Sequence, residues 1–568
     1  MVAVYCVASL VLGVVLSKKA SQGMESYFAG NRNLSWWLAG TSMAATAFSS
    51  DTPLLVTGIT RSRGLWGNWQ IWSLGISTML AVFFFSKLWK RTGVLTEVEM
   101  AEVRYAGKPA SFLRGFKALY WGLIYNVYVL GAWPITGLVK VMQETTSWNK
   151  PTSIFFCLGL TVIYSCLSGY WGVVLTDLFQ FVWAMAGAVI LAFFSIRAVG
   201  GPAVLVEKLS STGKLSFLPP AQGTEWLLGL FLIQWWAWKN SDGGGIAVQR
   251  MVSCKNERES MRSMLWFGVA HYVLRSWPWV LTGLASLLLI PDSHLSVTEG
   301  ARTFIDHERA YPRLIAMLLP VGLRGILVAS FFAAFMSTVD SQLNWGASYL
   351  VNDFYKRFVK KKAPEAHYVR ISRVVTFFLA AGAAIVAFYT ESIGAVFTFI
   401  LNLTAGVGPV FLLRWFWWRV NAWSEIAAMT VSLPLILMRP YFFSAFGIPP
   451  SSSLELLYMV LGTALFWLPV TFLTPPVPSE VLKTFFERVS PPGFWKKFAE
   501  GKLNHKVWLS GLRLWVAATV ALFATLIGPV EIFLGRAGKG WGVCAVALAG
   551  WFLVEKWNRV EINPAGEK

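Results

Sequence analysis

Ser337, Asp340 and Ser341 stand at i, i+3 and i+4 in the stretch AAFMSTVDSQLN. On a helix their side chains share one face, with Thr338 beside it. Hydroxyl and carboxylate oxygens so grouped suit a hard cation, and no His or Cys joins them, which speaks against a transition metal. A second acid, Asp177 in GVVLTDLFQFVW, lies close to the start of its own apolar run. Were Asp177 and Asp340 both ionised about 4 Å apart, they would repel by about 4 kcal/mol at an effective dielectric of about 20. A bound cation or a shared proton relieves that repulsion. A purely structural role, with each Asp bonding hydroxyls or capping a helix break, stays open beside it.

Two other polar clusters interrupt apolar runs. SWWLAGTSMAATAFSSDTPLLVTGIT carries Ser49, Ser50, Asp51, Thr52 and Pro53 at its centre. Pro53 lacks an N–H and disfavours helical geometry at Thr52, so the helix should break there. Five crossings later, EWLLGLFLIQWWAWKNSDGGGIAVQRM carries Asn240, Ser241, Asp242 and the glycines Gly243 to Gly245, a poor helix interior. The odd offset puts the breaks in helices of opposite direction, as an inverted repeat of two five-helix units would. Interrupted segments at matching positions of two halves point to a transporter's binding site, because unwinding frees carbonyls and helix ends.

The elements that carry these clusters are membrane helices. The chain has 568 residues with a mean hydropathy of +0.55, 55% hydrophobic and 14% charged, too little charge to cover a soluble protein of this size. Apolar runs long enough to cross about 30 Å of hydrocarbon recur throughout. They fall near 2–17, 35–60, 68–90, 114–142, 150–168, 172–198, 225–253, 262–290, 321–353, 368–389, 392–416, 421–439, 454–474, 509–534 and 538–555. The expectation is an all-α integral membrane protein of about fifteen spans. The net charge of +20 then reads as topology rather than as a nucleic-acid footprint. An outside amino terminus and a cytoplasmic carboxyl terminus put most basic clusters inside, as expected of a multi-pass protein of a cell (inner) membrane. Met1 lies almost inside the first run, which leaves an upstream start open. Five scattered cysteines give neither a disulfide framework nor a zinc site. The outer loop 291–320 and the inner segment 475–508 should each hold a short amphipathic helix at the interface.

Candidate solute contacts are the polar or aromatic residues near the breaks or on facing spans: Asp51, Thr52, Gln70, Gln234, Trp236, Asn240, Asp242 and Asn402. Trp235, Trp236 and Trp238 offer rings for stacking, or for lipid and packing. Arg275, near mid-membrane, either snorkels or pairs with a carboxylate such as Asp51. His271, one turn earlier, reads as a hydrogen-bonded packing residue.

YFAGNRNLSWWLAGTSMAATAFSSDTP, SGYWGVVLTDLFQF, GGGIAVQRMVSCKNERES and AAFMSTVDSQLNWGASYLVNDFY together resemble, in order, the signatures of the sodium/solute symporter family. The resemblance implies the leucine-transporter fold, two inverted five-helix repeats with discontinuous helices, and sodium-coupled uptake by alternating access. The repeats would cover 35–198 and 199–420, after an extra helix and linker in 1–34 and before further helices in 421–568. It implies a main sodium site at Ala45, Phe48, Ala334, Ser337 and Thr338. A second cation site would use Asp177, Ser337, Asp340 and Ser341, with Asp340 replacing a common serine and leaving sodium or a proton as its ion. One or two Na+ ions, no organic cofactor and a working monomer follow. Sugar carriers of the family place an Asn-Gln-Tyr step where this chain has Gly244, Gly245 and Ile246, so their tyrosine gate is absent. The proline-carrier branch has an aspartate where this chain has Ala47.

The solute expected is small, polar and organic: a sugar, an amino acid or similar. A proton-coupled symporter and a solute sensor with a separate signalling partner are the alternatives. An intramembrane enzyme using His271 or the paired aspartates lacks a nucleophile motif.

Overall fold

The structure, a computed structural model, describes residues 32–562 apart from 147, 300–301, 449–451 and 500–504. At 160–161, 163–173, 175, 452, 505–507 and 559–562 it describes the backbone alone. The span expected at 2–17 lies outside the described residues.

Helices dominate. Trp36–Thr46 (α1) stops at Ala47, and Asp51–Arg63 (α2) resumes after a short unwound turn. Leu65–Thr92 (α3) and Gly107–Thr145 (α4) follow, then Lys150–Val199 (α5). The second interrupted segment is 224–237 (α6) and Ile246–Ser253 (α7). Next come 257–289 (α8), Val321–Val359 (α9), Glu365–Tyr389 (α10), Ile393–Ala405 (α11) and Gly408–Phe416 (α12). Ala422–Ala445 (α13), Ser453–Leu473 (α14), Trp508–Phe533 (α15) and Ala537–Asn558 (α16) complete the set. Among the described residues nine helices are long and apolar enough to cross a membrane, or ten if α11 and α12, bent by 41°, form one span. The interrupted segments escape that count because each half is short.

The separate spans expected at 150–168 and 172–198 fall inside α5, whose 50 residues would reach about 75 Å if straight. Lys150 at its start bonds the carbonyl of Thr390 (3.0 Å), and Lys214 just past its end bonds that of Arg61 (2.9 Å). Arg61 also binds Asp292, and Glu308 binds the amide of Gly394, so all these groups lie in the layer of the 291–320 loop. Both ends of α5 therefore reach one face, and the run turns back between them.

That loop is built of a hairpin, Ser296–Glu299 (β1) with Arg302–Ile305 (β2), and a short helix, Ala310–Leu318. It is clamped to the bundle by ions. Lys140 of α4 reaches Asp306 (2.7 Å) and Glu308 (2.6 Å), while Glu308 also accepts from the first amides of α11, Ile393 (3.1 Å) and Gly394 (2.7 Å). On the opposite face, the helix Ser479–Val489 buries Leu482, Phe485, Phe486 and Val489, one stripe at helical spacing. Its apolar side packs on Trp415 and Trp495 rather than facing lipid as the sequence suggested.

Each helix break is closely approached by a glycine of a neighbouring helix. A Cβ on Gly137 of α4 would stand 2.6 Å from Asp51 Cα, and one on Gly408 would collide with the carbonyl of Ala237. Only a residue without a side chain lets these helices approach so closely.

Candidate functional site

The stretch AAFMSTVDSQLN is unbroken helix within α9, with Ser337, Thr338, Asp340 and Ser341 all buried. It crosses the first break. Thr338 Oγ1 donates to the carbonyl of Thr46 (2.8 Å), and Thr46 Oγ1 lies 3.0 Å from Ser341 Oγ. Phe48 N–H closes the turn onto Ala45 O (2.9 Å), and Ser50 Oγ donates to Pro134 O (2.6 Å) in a π-helical turn of α4. Such turns recur at functional positions because they disturb the regular bond ladder.

Beside Thr338, Ser337 Oγ and Ser42 Oγ donate to the two oxygens of Asp177, each at 2.5 Å. Arg250 of α7 reaches into this cluster: its guanidinium lies 3.7 Å from Asp177, donates to Ser341 Oγ (2.7 Å) and Ser42 Oγ (3.2 Å), and is steadied by Gln249 (2.7 Å). Both charged groups are fully buried. Asp177 thus has a buried arginine beside it, a neighbour that the sequence reading did not include. Asp340 is buried one turn after Met336, on the helix that carries Ser337 and Ser341.

The second break runs from Trp238 to Gly245, with φ of 77° at Gly243 and 74° at Gly245. Asp242 fastens it: its carboxylate accepts from Gly244 N (3.0 Å), Trp415 Nε1 (2.8 Å) and Arg414 (2.7 Å). Gly245 N–H donates to Glu97 (2.6 Å).

Between the two breaks lies a cavity of about 300 Å³. Trp133, Trp238, Trp345 and Tyr125 supply ring faces; Asp51, Thr52, Lys239, Asn240, Arg275 and Gln342 supply polar groups. Asp51 Oδ1, Asn240 Oδ1, Gln342 Oε1 and His271 Nδ1 are buried there without a hydrogen-bond partner among the described residues. Arg275 faces the cavity with Asp51 and is braced by His271, through its carbonyl (3.0 Å) and Nε2 (2.8 Å). It does not snorkel, and among the described residues it forms no close ion pair.

A profile of the sodium:solute symporter family matches residues 27–431. The chain belongs to that family. It is 26% identical over 555 residues to the sodium/myo-inositol cotransporter of Bos taurus, covering 87% of this chain and 75% of that one. It is 25% identical to the sodium/glucose cotransporter 4 of Danio rerio, covering 85% and 79%. A substrate-bound, outward-open Na+-coupled sialic acid symporter superposes with a TM-score of 0.68 at 20% identity, over 84% of this chain and 97% of that structure. The protein is a sodium-coupled solute symporter of the leucine-transporter fold.

In the symporter, Ala45, Phe48, Ser337 and Thr338, four of the five residues expected for the main sodium site, lie where α9 crosses the first break. The hydroxyls of Ser337 and Thr338 donate their hydrogens away, to Asp177 and Thr46, which leaves oxygen lone pairs to face a cation. Of the expected solute contacts, Asp51, Thr52 and Asn240 line the cavity. The other five lie elsewhere. Gln70 lies near Thr398 (3.4 Å) beneath the loop, and Gln234 bonds Gln70 O (2.7 Å). Trp236 bonds its own helix at Leu232 O (2.5 Å), Asp242 is spent on the break, and Asn402 bonds Glu455 (3.0 Å). Among the tryptophans Trp238 reaches the cavity, whereas Trp235 packs on Trp515. Lys239 was not singled out in the sequence; a cation adjoining a helix break inside an apolar run was its signal.

Proposed function

We propose that the symporter takes up a small polyhydroxylated solute together with sodium by alternating access, binding the solute in the cavity between the two breaks. The observation that carries this is the set of partnerless acceptors around it: Asp51 Oδ1, Asn240 Oδ1 and Gln342 Oε1. Buried acceptors left unmade cost about 1–3 kcal/mol each, and a solute rich in hydroxyl donors satisfies them together. The aromatic faces of Trp133, Trp238 and Trp345 suit the C–H faces of such a ring. The resemblance to inositol and glucose cotransporters agrees with it.

Sodium binds at Ala45, Phe48, Ala334, Ser337 and Thr338. Ion binding there ties α9 to the broken helix and raises solute affinity through a shared conformational equilibrium. One ion per cycle is the stoichiometry favoured, because Arg250 already neutralises Asp177. A second ion at Asp177, Ser337, Asp340 and Ser341 would have to share that carboxylate with the guanidinium. Asp340→Ser separates sodium from proton coupling: unchanged sodium and pH dependence of uptake returns Asp340 to a structural role.

The remaining reading is a monomer of about fifteen crossings in a cell membrane, counting each interrupted segment as one and α5 as two. Repeats at 35–198 and 199–420 and an outward 291–320 loop complete it. The test is uptake by proteoliposomes under an imposed inward sodium gradient. Sodium-driven accumulation of glucose, myo-inositol or a related polyol is expected; accumulation without sodium would sink the reading.

A further inference from the structure

Lys239 opens the polar part of the second break and is 4% exposed, yet it lines the cavity. Its ammonium sits 4.6 Å from the rings of Trp121 and Tyr125 and 5.6 Å from that of Trp345. Ring faces attract the charge but leave its three N–H donors short of oxygen acceptors. Among the described residues no carboxylate stands within 4.0 Å of it.

The acids nearest in charge, Glu97 and Asp242, already have partners. With Glu425 they form a buried set of three negative charges, ion-paired by Lys117 and Arg414, while Arg104 spends its donors on the carbonyls of Arg414, Trp417 and Trp418. Around the cavity itself, Asp51 opposes Arg275. Lys239 feels Glu97 and Asp242 only at longer range, and among the described residues its ammonium is met by rings and by no oxygen. A buried cation beside an apolar wall is costly unless something answers it, and here the open side faces the solute space.

We propose that the solute is an organic anion, a polyhydroxylated carboxylate of the sugar-acid class, whose carboxylate is held by Lys239. Its hydroxyls meet Asp51, Asn240 and Gln342. This rests on the polyol reading above and names the group that completes it. An ammonium–carboxylate contact is charge-assisted and about twice as strong as a neutral hydrogen bond, so it sets preference as well as affinity. With one sodium ion per anion the cycle moves no net charge, whereas a neutral polyol would carry one positive charge inward.

The experiment uses the full chain in proteoliposomes, an inward sodium gradient and four probes: D-glucuronate, D-gluconate, D-glucose and myo-inositol. Expected is sodium-driven uptake of an acid, insensitive to a clamped membrane potential, with KM about 10- to 100-fold below that of the neutral compounds. Lys239→Met should raise KM for the acid by about the same factor and spare sodium-dependent thermal stabilisation; Lys239→Arg should keep most of the affinity. Uptake of glucose or inositol with equal or lower KM, or an unchanged acid KM in Lys239→Met, overturns the inference and leaves the polyol reading standing. Sodium-driven uptake of none of the four overturns both. If Lys239→Met does not fold, Lys239→Arg and the potential dependence of the wild type decide.

Discussion

Thr338 Oγ1 lies 2.8 Å from the carbonyl oxygen of Thr46, a hydroxyl on a continuous helix reaching the last turn of a helix that stops. The contact joins α9 to the break at the level of the proposed sodium ligands.

Replacing both Ser337 and Thr338 by Ala removes two of the proposed oxygen ligands of sodium and the bond to Thr46. The half-saturating sodium concentration for uptake should rise by about 10- to 100-fold, on the basis of about 1 kcal/mol for each lost oxygen. Uptake measured across a sodium titration checks this; an unchanged midpoint would move the main site elsewhere.

Asp177 and Arg250 are a fully buried pair, so removing one partner should cost more than removing both. Arg250→Met leaves a carboxylate uncompensated and should destabilise by about 3–5 kcal/mol. Asp177→Asn combined with Arg250→Met should recover part of that loss. Thermal unfolding in detergent of the two variants reads the difference, and a double variant weaker than the single would contradict the pairing.

Lys140 ties the loop's Asp306 and Glu308 to α4. Lys140→Met takes the shared cation from two neighbouring carboxylates, leaving Asp306 with Arg309 and Glu308 with backbone amides, whereas Glu308→Gln leaves the ammonium with Asp306. The first should therefore unfold at lower temperature than the second. The reverse order would mean that the amides of Ile393 and Gly394, not Lys140, are the main partners of Glu308.

His307 gives the loop a pH response. Its burial, and then the nearby guanidinium of Arg61, hold its pKa below the ordinary value, with Lys214 adding to this and Asp292 and Asp306 opposing it. An unfolded histidine titrates near about 6.5. Below that pH the unfolded chain takes up a proton that the folded chain refuses, so this contribution is full above about 6.5 and fades as pH falls. The unfolding temperature should drop less on acidification in His307→Gln than in the wild type; parallel curves would show that other groups dominate.

Both breaks were legible in the sequence because their causes are local. Pro53 removes an amide, and Gly243 and Gly245 adopt left-handed backbone that other residues resist. The polar face of AAFMSTVDSQLN was legible for the same reason, since helical spacing alone groups Ser337 with Ser341. What each group meets was not. Asp242, Gln234 and Asn402 are polar and near the breaks, but sequence position does not say which way a helix is turned, and all three face protein. Arg250 was not singled out, because its role depends on α7 delivering it to Asp177. Lys239 was hidden among tryptophans that suggest an interface.

Gly137 and Gly408 let neighbouring helices press against the two breaks. Their consequence is one of mechanical tolerance. The moving parts of this carrier run against bearings with a clearance smaller than a methyl group, and the two glycines themselves line neither the ion site nor the cavity. A methyl added at either glycine would touch neither ion nor solute, yet it would spread the parts that must slide. Turnover should then slow while equilibrium binding persists, and such a carrier would still recognise its cargo and fail to deliver it.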